Sequence, residues 1–593
     1  MPGRTVAAGA GVRAAGSGLA APDAHAAVRR MDVTLATMIG ACLALQAGVS
    51  PADSVLARLT VEEKVGQLIM PWMPGTYAAA DADPMLRALA WVDSLRIGGI
   101  IVSVGSPLDV AVKIRQLQER SRLPLIVAAD LEWGSATRLV GGTPFPSNMG
   151  VAATGREDDA YEQGRITALE ARAVGIHLTF SPVADVNSNP ANPIINTRSY
   201  GEDPARVASL VAAFVRGAEE HGLLTTAKHF PGHGDTERDS HLELPVLTAD
   251  WARLDSLELV PFRAAVAAGV TAVMTAHLAV PLLAPETLPA TLASSVLQGL
   301  LVDSLGFSGL VVTDALNMGA VVGRYGAGEA SVMALEAGAD IILQPGDPGA
   351  AYQAVLAAAR SGRIAQARLD RSVAKILALK ARAGLTQRRV PTLDSVPLVV
   401  GRAEHLAVAQ DVTQRGITLV KHDGVLDWIQ RRRRRLAVIG YGDELQADAG
   451  VTMTGELRAG GDAVSYFRLW SSSGPASYDS ARAVISGSDA TIFVPAVRAR
   501  ASRPSIGLPD SLAALIEQTA GRERVVLASL GNPYLYAQVP SVGTYLIGWH
   551  PTPMAEIAVA RALQGRASIG GRLPISLGPE YPRNHGLTRQ PKR

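Results

Sequence analysis

The stretch Thr225 to His241, TTAKHFPGHGDTERDSH, opens as a β-branched run and closes as a loop that gathers charged and imidazole side chains around glycines. A short apolar strand that ends in polar residues and leads towards a helical pattern is the repeating unit of a parallel βα fold. Seven other runs share this form: GQLIM (Gly66 to Met70), GIIVSV (Gly99 to Val104), PLIVAAD (Pro124 to Asp130), HLTFSPV (His177 to Val183), AVMTAH (Ala272 to His277), LVVTD (Leu310 to Asp314) and DIILQP (Asp340 to Pro345). With TTAKHF (Thr225 to Phe230) they make eight, and several are apolar throughout, as strands covered on both faces must be. Between them lie amphipathic helical patterns. In Asp203 to Gly222 the residues Val207, Leu210, Val211, Phe214 and Val215 recur at helical spacing, with Asp203 as cap, Pro204 as first residue and Gly222 as stop. Eight such units over roughly 330 residues predict a (β/α)₈ TIM-type barrel rather than a doubly wound sheet.

The barrel is expected over residues 51–385, followed by a Pro-containing linker over 386–402. A second βα series then begins, with strands RLAVIGYG (Arg435 to Gly442), ATIFVPAV (Ala490 to Val497), RVVLASLG (Arg524 to Gly531) and TYLIGWH (Thr544 to His550). It predicts a smaller α/β sandwich of the αβα type over 403–580, with a C-terminal tail over 581–593. The run Arg431 to Arg435 reads as a solvated strand entry, and Gly440 with Gly442 lacks the rest of a dinucleotide fingerprint.

The 593 residues are 48% apolar and 19% charged, enough to bury more than one core, and the formal charge of +2 gives no basic face for nucleic acid. One cysteine, Cys42, rules out an intramolecular disulfide framework and any CxxC zinc site. Residues 1–50 are expected to be a signal or targeting segment with a disordered start: Arg29 and Arg30 precede an apolar stretch from Val33 to Gly48, too short for a span of ~20 residues. Cys42 after Ile39, Gly40 and Ala41 resembles a lipobox, so a lipid anchor through Cys42 is one expectation. Simple export to the periplasm or the exterior is a second, and a cytoplasmic protein is the third. Oligomeric state stays open.

In a barrel of this type the polar groups at the C-terminal ends of the strands face one mouth. They are Asp130, Asp185, Asn187, Lys228, His229, His277 and Asp314. The element Lys228 to His241 has two readings. Either His229, His233, Asp235, Asp239 and His241 supply metal ligands, or Asp239 orients His241 as an acid/base on a loop. Asp314, at the close of an apolar strand, is costly to bury without partners or a function; its plain reading is a helix N-cap. Of the 56 basic residues only seven are Lys, so a Lys retained at a strand end is informative.

These residues together resemble glycoside hydrolase family 3, and within it the β-N-acetylhexosaminidase branch, over roughly residues 52 to 580. The resemblance implies a retaining exo-β-N-acetylglucosaminidase acting on glycosides such as peptidoglycan fragments, with no metal and no cofactor. It assigns Asp314 of VVTDALNM as nucleophile and Asp239 with His241 of the DSH element as acid/base dyad. It assigns Asp130, Arg138, Arg198, Lys228 and His229 to the sugar hydroxyls. Most retaining enzymes use two carboxylates ~5 to 5.5 Å apart. An imidazole instead, with an ordinary pKa of ~6.5, is already near working pH and repels anions less. An N-acetylglucosaminide phosphorylase and a β-glucosidase of the same fold are therefore the alternatives, with a metal-dependent hydrolase behind them. One departure stands out: the family has two glycines where Glu132 is followed here by Trp133 and Gly134.

Overall fold

The barrel's first strand is cut in two by Pro71, and the cut shows how the ring closes. Pro71 has no N–H to give to a ladder. The piece before it, β1 (Ile69–Met70), runs parallel to β9 (Ile342–Leu343), and the piece after it, β2 (Trp72–Met73), runs parallel to β3 (Gly99–Val102). From β3 the sheet continues through β4 (Ile126–Ala129), β5 (Leu178–Thr179), β6 (Leu224–Phe230), β7 (Ala272–Thr275) and β8 (Leu310–Val312), every pair parallel. A parallel bridge between Val312 and Ile341 carries β8 to β9 and completes the circuit. This computed structural model describes residues 51–593 apart from 286, 432–433, 444–445, 447, 500–505 and 593. The leader, Cys42 and part of the Arg431 to Arg435 run lie outside the described residues.

Each of the eight expected runs contains a strand, and apart from an exposed Trp72 the strand residues are buried because helices cover the outside and side chains fill the inside. The helix Pro204–Glu219 starts as expected, with the Asp203 carboxylate accepting from the N–H groups of Ala205 and Arg206. It lies against the helix Glu157–Val174 at two glycines: a Cβ on Gly164 would stand 2.4 Å from the Phe214 carbonyl oxygen, and one on Gly217 would stand 2.1 Å from that of Tyr161.

The second sheet has the order β10 (Thr418–Lys421), β15 (Thr544–Ile547), β14 (Val525–Ser529), β13 (Ala490–Pro495), β11 (Arg435–Gly442), β12 (Ala463–Trp470). Only β10 runs antiparallel to its neighbour. Alternate residues feed two cores, Ile439, Phe493, Leu527 and Tyr545 on one face and Val438, Ile492, Val526 and Leu546 on the other. Helices on both faces make this an αβα sandwich. Strands β10 and β12 were not expected. The first is four residues long, with no turn residue between it and the preceding helix, and the second is an edge strand whose half-exposed Tyr466 and Arg468 break its apolar alternation.

Arg58–Arg593 form one compact unit. The sandwich core takes in Met149 and Ala153 from the barrel helix Asn148–Ala153, packed with Trp549, whose indole N–H donates to the Gly416 carbonyl at 2.8 Å. The expected linker is tied down by Arg389 Nη1 on the Ser121 carbonyl (3.1 Å) and by the Gly401 N–H on Glu170. The C-terminal tail also packs: the Leu587 N–H donates to Leu419 and the Arg589 N–H to Ile569, which covers the β10 edge. Among the described residues no helix is long and apolar enough to cross a membrane.

Candidate active site

The strand ends open into a cavity of about 550 Å³ lined by Asp130, Arg138, Arg198, Lys228, His229, His241 and Asp314. Of the catalytic and sugar-binding candidates Asp239 stands behind this lining, buried beneath His241; Asp185, Asn187 and His277, expected at the mouth, and Asp235 are not on the lining either.

Lys228, on β6, is the centre of the floor. Its side chain is 3% exposed, and its ammonium bonds Asp130 Oδ1 at 2.9 Å and Glu132 Oε1 at 2.8 Å. Arg138 Nη2 reaches Asp130 Oδ2 at 3.2 Å, and Arg198 grips Glu132 with two bonds of 2.8 and 2.9 Å. Charges taken out of water survive only when matched in this way. Burial alone would raise the Asp130 and Glu132 carboxyls, but Lys228 and Arg138 hold the first below its usual range, and Arg198 and Lys228 hold the second well below. Burial would likewise strip the proton from Lys228, yet Asp130 and Glu132 raise its pKa. The floor is thus a set of fixed donors and acceptors suited to a polyhydroxylated ring.

His229 gives its Nδ1 proton to Asp185 Oδ2 at 2.7 Å, leaving Nε2 facing Arg198 Nη2 at 3.4 Å. Asp185 also accepts from the backbone N–H groups of His229 and His233, and so pins the turn after β6. Burial lowers the His233 pKa to about 4; its ring is bridged by Thr236 Oγ1 (2.7 Å) and Ser240 Oγ (3.0 Å). His229, His233 and His241 therefore each serve a different partner. Among the described residues no group of three or more His, Cys, Asp or Glu side chains is placed to hold a metal ion.

His241 Nδ1 lies 2.7 Å from Asp239 Oδ1, and the same oxygen accepts the His241 backbone N–H at 2.9 Å. The carboxylate fixes the tautomer with Nδ1 protonated, so Nε2 is the nitrogen left for the cavity. This loop is docked on the helix Gly319–Ala337, where the Gly319 N–H donates to the His241 carbonyl at 3.2 Å. A Cβ on Gly319 would stand 2.8 Å from that oxygen, so the approach needs glycine.

Asp314 follows β8, five residues before that helix. It does not cap it: Met318 occupies the N-cap, and among the described residues Asp314 Oδ1 accepts from the adjoining Ala315 N–H at 2.7 Å. Burial would raise its pKa, but the imidazoles of His229 and His277 and the Ala315 N–H outweigh that and hold it at about 2. His277 Nε2 bonds the Ala315 carbonyl at 3.0 Å and steadies the Asp314–Ala315 turn.

The loop carrying Glu132 and Arg138 hangs on Glu170, a fully buried carboxylate of the helix Glu157–Val174. Glu170 accepts from Ser135 Oγ, from Thr143 N (2.9 Å) and Oγ1 (2.6 Å), from Gly401 N (3.0 Å) and from His405 Nδ1 (2.7 Å). Loop, linker and second domain thus share one anchor. Glu170→Ala strands these donors. It should cost about 3 kcal/mol or more in urea unfolding and raise KM more than it lowers kcat, because the displaced Arg138 and Glu132 lie on the floor. An unchanged KM would show that the loop holds its place without Glu170.

Sequence reasoning did not single out Asn317, Arg498 or Ala499, which also line the cavity. Arg498 and Ala499 come from the second domain, just past the C-terminal end of β13. The strand-end rule, applied to that sheet as to the barrel, would have found them.

Residues 60–379 match the glycosyl hydrolase family 3 N terminal domain. The chain is 31% identical over 551 residues to a β-N-acetylglucosaminidase/β-glucosidase of Cellulomonas fimi, covering 89% of this chain and 96% of that protein. It is 34% identical over 337 residues to the β-hexosaminidase LpqI of Mycobacterium tuberculosis, covering 55% and 84%. Among solved structures, a glycoside hydrolase family 3 β-N-acetylglucosaminidase from Paenibacillus sp. superposes with a TM-score of 0.80 at 36% identity, covering 88% of this chain and 99% of that one. The β-glucoside phosphorylase BglX superposes at 0.82 with 26% identity, covering 90% and 97%. The matched segment is the one that builds the barrel and its strand-end cavity, and it spans more than half of the chain: the protein belongs to glycoside hydrolase family 3 and is a glycosidase.

Proposed function

We propose that the chain is a retaining exo-β-N-acetylglucosaminidase. The observation that carries this reading is the presence, on one cavity lining, of an ionised Asp314 and of His241 backed by Asp239. In the first step Asp314 attacks the anomeric carbon, the bond to the leaving oxygen breaks, and protonated His241 gives that oxygen its Nε2 proton. In the second, neutral His241 takes a proton from water, the oxygen of that water attacks the anomeric carbon, and the bond to Asp314 breaks. Asp130, Arg138, Arg198, Lys228 and His229 hold the sugar hydroxyls meanwhile. The names of the relatives from Cellulomonas fimi and Mycobacterium tuberculosis support the choice of sugar.

Phosphorolysis is the second reading, favoured by the likeness to BglX and by an acid/base that carries no negative charge of its own. Paired aryl N-acetylglucosaminide and aryl glucoside, each with and without phosphate, test both. At least tenfold higher kcat/KM on the first, with free sugar as product in phosphate buffer, is the expected result. Preference for the glucoside would make the chain a β-glucosidase. Accumulation of a sugar 1-phosphate would make it a phosphorylase. The reading extends to peptidoglycan fragments as substrate and to export by the leader, with Cys42 as lipid anchor; fractionation and metabolic labelling with a fatty acid test the last two.

A further inference from the structure

Asp239 and His241 sit on no strand end. They ride on the segment that leaves β6 and returns at the helical turns Trp251–Arg253 and Leu254–Glu258, and the two limbs of that segment are fastened to each other at its neck. Arg253 Nη2 on the return limb lies 2.8 Å from Asp235 Oδ2 on the entry limb. Asp235, a metal-ligand candidate in the sequence, is off the cavity lining, and this ion pair is its place in the fold. Behind the pair stands Glu258, whose side chain is 3% exposed and whose Oε1 accepts from Arg253 Nε at 3.3 Å. Ser188 Oγ completes the set, 3.4 Å from Arg253 Nη2. The entry limb passes Glu258 so closely that a Cβ on Gly232 would stand 2.9 Å from the Glu258 side chain.

Beyond the neck the chain is held at few points. The return limb is tied to the segment after β7, with the Leu247 N–H on the Ala279 carbonyl (2.9 Å) and the Ala279 N–H on that of Pro245 (2.8 Å). The tip rests on the helix Gly319–Ala337 through two long bonds, from the Gly319 N–H to His241 (3.2 Å) and from the Ala320 N–H to Ser240 (3.4 Å). Inside the loop the His233 ring joins Thr236 to Ser240, the residue between Asp239 and His241. A displacement of the entry limb is thus passed to the dyad. We propose that Arg253 is a positioning residue for the acid/base: by clasping Asp235 to Glu258 it fixes the neck of the loop, and with it the place of the Asp239–His241 pair. The proposal rests on the assignment of His241 as acid/base made above. One guanidinium shared by two carboxylates is a directional clasp that a point charge reproduces only in part. Opening it lengthens the free chain around the tip and spreads the positions the imidazole can take, and a misplacement of about 1 Å can cost about 100-fold in rate.

The test compares wild type, Arg253→Ala, Arg253→Lys, Asp235→Asn and His241→Ala in the full chain on two β-N-acetylglucosaminides, one with a sugar aglycone and one with an activated aryl aglycone. Arg253→Ala should lower kcat/KM on the first by about 10- to 100-fold and on the second by less than about threefold, since the aryl group leaves without a proton. Azide should accelerate aryl turnover by Arg253→Ala more than by wild type, because the attack of water then lacks a well-placed base. Asp235→Asn, which keeps the shape and removes the charge, should show the same split to a smaller degree and decides the matter where Arg253→Ala fails to fold. Arg253→Lys should recover part of the loss. Equal losses on both substrates, or no loss, in Arg253→Ala and Asp235→Asn overturn the clasp. A His241→Ala variant that fails to split the substrates would instead overturn the acid/base reading, whatever the Arg253 variants do.

Discussion

Asp314→Ala is expected to lower turnover by about 10,000-fold or more, roughly 5 kcal/mol of transition-state stabilisation, while the protein stays folded. The side chain lies two residues past β8, caps no helix and, among the described residues, accepts one hydrogen bond, from its neighbour's N–H. Its loss therefore leaves few donors stranded, and a thermal melt close to that of wild type should accompany the kinetic collapse. Added azide should restore part of the rate, entering from the vacated carboxylate side and giving the α-glycosyl azide. Restoration with the β product, or no loss of rate, would remove Asp314 from the nucleophile's role. Its depressed pKa gives a second readout. Asp314 is ionised above about pH 2, so the acid limb of kcat/KM must arise elsewhere. For stability the sign is that of a lowered carboxylate: the contribution is full above the ordinary value of 3.8 and fades as pH falls towards about 2.

The barrel was legible in the sequence because most of its strands end in their own chemistry, so that an apolar run and a polar terminus mark the same place. Asp130, Lys228, His229 and Asp314 could be read from that rule alone, and the DSH spacing put Asp239 within reach of His241. What stayed hidden is non-local. Glu170 is one of many helix carboxylates until the fold brings Thr143, Gly401 and His405 to it across sequence separations of 27, 231 and 235 residues. Arg498 is one Arg in a chain rich in them until β13 aims it at the other domain's cavity. Strand β12 was hidden for a different reason: at a sheet edge only one neighbour enforces burial, so its pattern carries less signal than that of β13, which is buried throughout.

His241→Ala should split substrates by leaving group. With a sugar aglycone the departing alkoxide needs a proton, and loss of the acid should cost about 100- to 10,000-fold in kcat/KM. With an activated aryl glycoside the phenolate leaves unaided, and kcat/KM should stay within about tenfold of wild type. The base is also gone, so the glycosyl-Asp314 intermediate should persist, visible as a burst of phenol followed by slow turnover. Azide then attacks that intermediate from the face opposite Asp314 and should give the β-glycosyl azide, the stereochemical opposite of the Asp314→Ala product. Asp239→Asn should fall between wild type and His241→Ala on both substrate classes, because the amide leaves the imidazole in place and removes the charge that fixes its tautomer and balances its protonated form. An equal loss on sugar and aryl substrates, without a burst, would mean that His241 shapes the cavity and moves no proton. The loop is docked through the Gly319 N–H on the His241 carbonyl, 3.2 Å away, where a Cβ on Gly319 would stand 2.8 Å from that oxygen. That docking puts His241 and Asp314 on the same lining of one cavity, the placement that a proton transfer to the leaving oxygen would need.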